Sequence, residues 1–151
     1  MNASEVVEQG KAYSTSGSAA VVDTNVYVHA LIENSMNYEK ARQLLNSLSK
    51  RYLPTIVLYE IIWVLRKLGL GKEKIDLAVR SILANPATNI VSDNDGRYTL
   101  KAIQILVSEG IDLVHFNDKV VLAVAVNLDL PIATYDSELK KEAKKRGLAI
   151  L

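Results

Sequence analysis

The sequence predicts an α/β fold built on a parallel sheet. From residue 19 onward, short β-branched runs alternate with helical patterns, the order expected of βαβ units. The 151 residues suit one domain, long enough to bury roughly 68–70% of its unfolded surface, and leave no room for a second. A hydrophobic content of 49%, a charged content of 23% and a mean hydropathy of +0.10 are those of a globular chain rather than a disordered one.

Residues 1–18 (MNASEVVEQGKAYSTSGS) are polar and end in a Ser/Gly run, without the basic start or apolar centre of a signal peptide. They are expected to be an N-terminal extension, with the folded domain spanning 19–151. Residues 19–22 read as the first strand, and 25–33 with 38–51 as two helices. The second of these carries Ala41, Leu44, Leu45 and Leu48 at helical spacing. Leu53 closes a short second strand before Pro54. Residues 55–68 are rich in β-branched side chains, yet their length and the following Gly69 favour a buried helix. Residues 72–84 are an amphipathic helix, 88–91 a third strand, and 98–108 a helix closed by Gly110. Asn117 is expected to cap a helix over 118–128, in which every residue from Val120 to Val126 is apolar and therefore enclosed. Residues 131–134 are a fourth strand, 137–146 a terminal helix and 148–151 a fifth strand.

Several function classes are excluded at this level. No stretch of about 18 apolar residues exists to span a membrane. The absence of cysteine removes disulfides, zinc–thiolate and iron–sulfur sites and thiol nucleophiles, and it fits a cytoplasmic protein. Metal chemistry would have to use oxygen or the two histidines, His29 and His115, whose spacing matches no metal motif. A net charge of +1 creates no global field for polyanions, so a nucleic acid would be held by local patches.

Four acids stand where chemistry is expected. Ligands of open parallel sheets bind outside the carboxyl ends of the strands, where Asp23 in AAVVDTN and Asp136 in PIATYD both sit. Each alone reads equally as a turn residue or helix cap. Glu60 is the one charge in the ten-residue run IVLYEIIWVL. On a helix its neighbours Ile56, Val57, Trp63 and Val64 cannot pair with it, so a partner comes from elsewhere in the fold or is a metal ion. An exposed stripe shared with Lys67 is the alternative. Asp118 opens the enclosed helix, where dipole and free N–H groups favour an anion. An all-oxygen ligand set of this kind suits Mg²⁺ or Mn²⁺.

VVDTNV, Glu60 in an apolar helix after a proline, NDKVVLAVAVNL and PIATYDSEL, in that order, resemble the PIN domain of metal-dependent ribonucleases. The commonest small form of that family is the VapC-type toxin of VapBC toxin–antitoxin pairs. The resemblance covers residues 20–151. It implies a three-layer α/β/α sandwich around a mostly parallel sheet of about five strands, with Asp23, Glu60, Asp118 and Asp136 forming an acidic pocket supported by Thr24 and Thr134. Two features depart from the pattern: Lys119 follows Asp118 where the family usually has alanine, and small toxins usually begin at the first strand.

The implied activity is a Mg²⁺- or Mn²⁺-dependent endoribonuclease. Asp23, Asp118 and Asp136 would hold metal, and Glu60 would bind it through water or orient the nucleophile. If the chain is a toxin, the resemblance implies a homodimer bound by an antitoxin protein whose C-terminal segment covers apolar helices and pocket. Alternatives are an RNA-maturation nuclease without antitoxin, a PIN-like binding module without turnover, and a phosphohydrolase. DTNVY at 23–27 lowers the last, because the phosphatase pattern Asp-x-Asp-x-Thr is broken at Asn25 and Tyr27. SDNDGR at 92–97 resembles an EF-hand loop but places Val91 and Ala102 at essential ligand positions, so it is a turn capping the next helix. ELKKEAKKRG at 138–147, with five basic and two acidic residues, reads as a solvated helix face with Leu139 and Ala143 turned inward and Glu142 paired to Arg146.

Overall fold

The structure is a computed structural model describing residues 18–151, so the N-terminal extension, apart from Ser18, lies outside the described residues. Four strands, β1 (Ala19–Val22), β2 (Lys50–Pro54), β3 (Thr88–Val91) and β4 (Ile132–Ala133), form a wholly parallel sheet in the order β3-β2-β1-β4. Seven α-helices surround it among the described residues: α1 (Thr24–Leu31), α2 (Tyr38–Ser47), α3 (Thr55–Lys67), α4 (Lys72–Ala84), α5 (Arg97–Glu109), α6 (Phe116–Leu128) and α7 (Ser137–Lys145). Right-handed crossovers place α1 to α4 against one face, because the chain first moves outward from β1 to β3. They place α5 to α7 against the other, because it then returns to β4. The packing of α1 on α2 and α3, of α3 on α4, and of α6 on α5 and α7 follows that division, and α3 meets α6 across it. The result is the α/β/α sandwich expected from the sequence.

Because β1 lies between β2 and β4, the connections leaving it and arriving beside it run in opposite directions. That makes the carboxyl ends of β1 and β4 the topological switch point, where an open α/β sheet has its crevice.

Residues of high β propensity form helix α3 because burial overrides propensity. Val57, Ile61 and Leu65, four residues apart, point one buried stripe into the core, while Pro54, with φ −59°, turns the strand directly into the helix. Helix α6 is enclosed from Lys119 to Ala125, but Val126 is 42% exposed, so the enclosure ends one residue earlier than expected.

Most boundaries fall within two residues of expectation, and four features differ from it. The fifth strand is reduced to one bridge between Ile150 and Ile132. Gly147 adopts a left-handed conformation and the Leu148 N–H bonds back to Ala143, which spends the start of that segment on closing α7. Helix α2 ends at Ser47 rather than 51, because the Arg51 N–H is drawn into the sheet by Ala87 O at 2.7 Å. Strand β4 has two residues, not four. Asn117 is not a cap: a single 3-10 turn, Leu113–His115, leads into α6, which starts at Phe116.

Lys119, 2% exposed, is paired with Glu142 of α7. Glu142 therefore serves chiefly Lys119, with Arg146 more distant at 4.0 Å. This pair locks α7 onto α6, while Leu139 and Ala143 of α7 turn inward as expected. Among the described residues no helix is long and apolar enough to cross a membrane. Glu142→Ala strands the Lys119 ammonium in the core and is expected to cost about 3–5 kcal/mol of unfolding free energy, measured by urea denaturation.

Candidate active site

Asp23 follows the last residue of β1 and is 5% exposed. Its Oδ1 accepts from the Thr24 N–H at 2.8 Å as the N-cap of α1, and its Oδ2 accepts from Thr134 Oγ1 at 2.7 Å and Asn25 Nδ2 at 3.2 Å. Thr134, just beyond β4, thus ties the two switch-point strands together. Its Oγ1 also accepts the Asp136 N–H at 3.0 Å. Asp136 caps α7, its Oδ1 accepting from the N–H groups of Glu138 and Leu139 at 2.8 and 3.0 Å.

Glu60 is half-buried on α3 and accepts a hydrogen bond from Asn117 Nδ2 on α6. The partner required from elsewhere in the fold is therefore Asn117. The shared stripe is ruled out, since Lys67 is exposed while Glu60 faces a cavity. Asp118, in the first turn of α6, has 35% side-chain exposure and lies 4.0 Å from His115 Nδ1.

All four carboxylates line one cavity of about 230 Å³, together with Thr24, Asn25, Val28, His29 and Val64. Burial first, then the negative charges of Asp23, Asp136 and Glu60, push the Asp118 carboxyl up to about 6. Burial also raises Asp23, against the opposing pull of its bonds from Thr134 and Thr24. Asn25 and His29 of this lining are not linked to the acids by the sequence analysis, although they are spaced four apart on α1 and share a face, a signal that could have linked them. Asn117 anchors Glu60 from outside the cavity lining, a role its position beside Asp118 does not reveal.

The donor set fits a divalent cation. Among the described residues no three His, Cys, Asp or Glu side chains form a ready-made metal cage, so the carboxylates surround the cavity rather than converge on one point. That suits Mg²⁺, which keeps several waters and binds through one or two carboxylates plus substrate phosphates. The Thr24 hydroxyl, buried in the same pocket without a hydrogen-bond partner, is a further oxygen left for such a hydrated ion.

Four acids around the switch-point crevice of a parallel sheet define an α/β protein with an acidic pocket. The sequence matches the family model of the PIN domain over residues 20–145, and the chain belongs to the PIN domain family. Its fold is similar to that of VapC20 of Mycobacterium tuberculosis, a Sarcin-Ricin loop cleaving toxin, with a TM-score of 0.72 and 17% identity over 83% of this chain and 95% of that one. It is similar to VapBC2 of Rickettsia felis bound to a promoter DNA fragment, with a TM-score of 0.62 and 19% identity over 88% and 97%. It is also similar to FitAcB of Neisseria gonorrhoeae, with a TM-score of 0.63 and 20% identity over 87% and 96%. No curated protein sequence matches the chain significantly. At these identities the structural likeness is one of fold.

The raised Asp118 carboxyl has a stability consequence. The folded protein keeps a proton there up to about pH 6, whereas the unfolded chain releases it near 3.8. The folded state binds more protons across that window, so metal-free stability falls as pH rises through it. Asp118→Asn removes the charge and keeps the shape. In EDTA at neutral pH it is expected to melt a few degrees above the parent, and to gain much less than the parent on adding Mg²⁺. Thermal melts of both proteins with EDTA and with Mg²⁺ check this; a lower EDTA melting temperature for the variant would make Asp118 a helix-start residue only.

Proposed function

We propose that the chain is a Mg²⁺- or Mn²⁺-dependent endoribonuclease acting as the toxin of a toxin–antitoxin pair. The observation that carries the chemistry is the gathering of four carboxylates from separate elements around one cavity at the switch point. Membership of the PIN family supports nuclease chemistry. The toxin role is supported by a fold shared with VapC20 and with the VapBC2 and FitAcB proteins. On this reading the protein works in the cytoplasm on RNA, as a homodimer restrained by an antitoxin protein.

Asp23, Asp118 and Asp136 would hold the ion, which when bound lowers the pKa of a water and offsets charge on the scissile phosphate. Asp23 is fixed for this task by Thr134, Asn25 and the start of α1, so its carboxylate is oriented before substrate arrives. Asp136 has one oxygen held by the start of α7. Glu60, anchored by Asn117, stands on the opposing helix, where it orients the attacking water or binds the ion through one. Asn25 and His29 form the α1 wall of the cavity, within reach of substrate rather than of the core.

Cleavage by the RNA's own 2′-hydroxyl commonly needs a paired acid and base, often two histidines, and of the two here only His29 lines the cavity. The expected products are 5′-phosphate and 3′-hydroxyl ends. Recovery of 2′,3′-cyclic phosphate from the purified enzyme overturns the mechanism. Glu60→Gln should keep the fold and lower metal-dependent turnover about 100-fold or more, and a loss within about threefold would remove Glu60 from the chemistry.

A further inference from the structure

A second cavity, of about 130 Å³, is lined by polar groups from α1, α2, β2 and α4, among them Tyr27, Arg42, Asn46, Arg51, Ser81 and Asn85. None of its lining residues is a carboxylate, and none belongs to the acidic pocket. Two of them carry polar atoms that the fold leaves without partners among the described residues. Arg51 is 9% exposed, yet among the described residues it makes no ion pair. Its Nε donates to Leu45 O at 2.9 Å, and its two terminal nitrogens make no hydrogen bond among the described residues. Tyr27 is 2% exposed, and its hydroxyl is buried without a hydrogen-bond partner. Arg51 thus keeps two terminal nitrogens that no group among the described residues claims, and the Tyr27 hydroxyl, costly to bury without a partner, borders the same space.

We propose that this cavity is a binding site for a small oxyanion, a phosphate or carboxylate group held by Arg51 and Tyr27. The guanidinium presents two free nitrogens, the geometry that holds either group bidentately, and the Tyr27 hydroxyl adds a donor. Arg51 is near enough to that hydroxyl to pull its pKa down, against the burial that pushes it up to about 12. Arg42, exposed on α2, adds a second positive charge, and Asn46, Ser81 and Asn85 bring further donors. At about 30 Å³ per liquid water the cavity holds about four waters, enough for one such group with residual solvent.

The test uses the full chain without divalent metal, and it measures no cleavage, so its outcome is independent of the nuclease reading. Sodium phosphate and sodium acetate are titrated against sodium chloride at matched ionic strength, with amide NMR signals and melting temperature as readouts. Saturable shifts at Tyr27, Arg51 and Asn85, with a melting increment above chloride, are the expected result. A response to phosphate alone marks a site for phosphate groups, and a response to acetate marks one for side-chain or terminal carboxylates. Tyr27→Phe, which keeps the ring, should weaken binding about tenfold, and Arg51→Met should abolish it. No response above chloride in either salt, or an increment unchanged in Tyr27→Phe, overturns the proposal.

Discussion

Like charges gathered around one cavity repel, and the fold must hold them there before any counter-ion arrives. Two carboxylates about 4 Å apart repel by roughly 4 kcal/mol at an effective dielectric of 20. The scaffold offsets this with three helix starts: Asp23 caps α1, Asp136 caps α7 and Asp118 occupies the first turn of α6. Asp23 and Asp136 therefore accept helix-start N–H groups, and all three acids meet the positive end of a helix dipole. Capping and membership of the pocket are one arrangement here. Glu60, in the middle of α3, has no such support, and the amide of Asn117 supplies it instead.

That double use explains what could be read in the sequence. Asp23 and Asp136 were legible because a strand end followed by a helix start is a local pattern, written in adjacent residues. The same locality made β1, α4 and β3 recoverable to the residue. Glu60 was legible by conflict, as a charge with no place in an apolar helix. Its partner was not, since Asn117 lies 57 residues away and only the packing of α3 against α6 brings them together. The last strand failed for a related reason. Its apolar residues suit a strand, but the closing turn of α7 takes the Leu148 N–H, and only the bonds of Ala149 O and the Leu151 N–H to Ile132 are left to pair with β4.

Lys119 is the clearest case of tertiary context overruling local expectation. A lysine in an otherwise apolar helix should be exposed, yet it is among the most buried side chains of the molecule. Its charge is carried by Glu142, from a segment that reads as a plain solvated face. The pair joins the helix bearing Asp118 to the helix that Asp136 caps. It therefore holds two walls of the acidic pocket in register without touching its interior.

The hydrogen bond between Thr134 and Asp23 spans 111 positions of sequence. During synthesis Asp23, Glu60 and Asp118 all leave the ribosome before the strand that completes their pocket. Loop closure over such a distance is entropically costly and slow relative to local helix formation. The pocket is thus assembled last, by the C-terminal strand and α7. A nascent chain carrying three of the four acids has no closed site, and whatever this pocket does begins only once β4 and α7 have been made and folded against the rest.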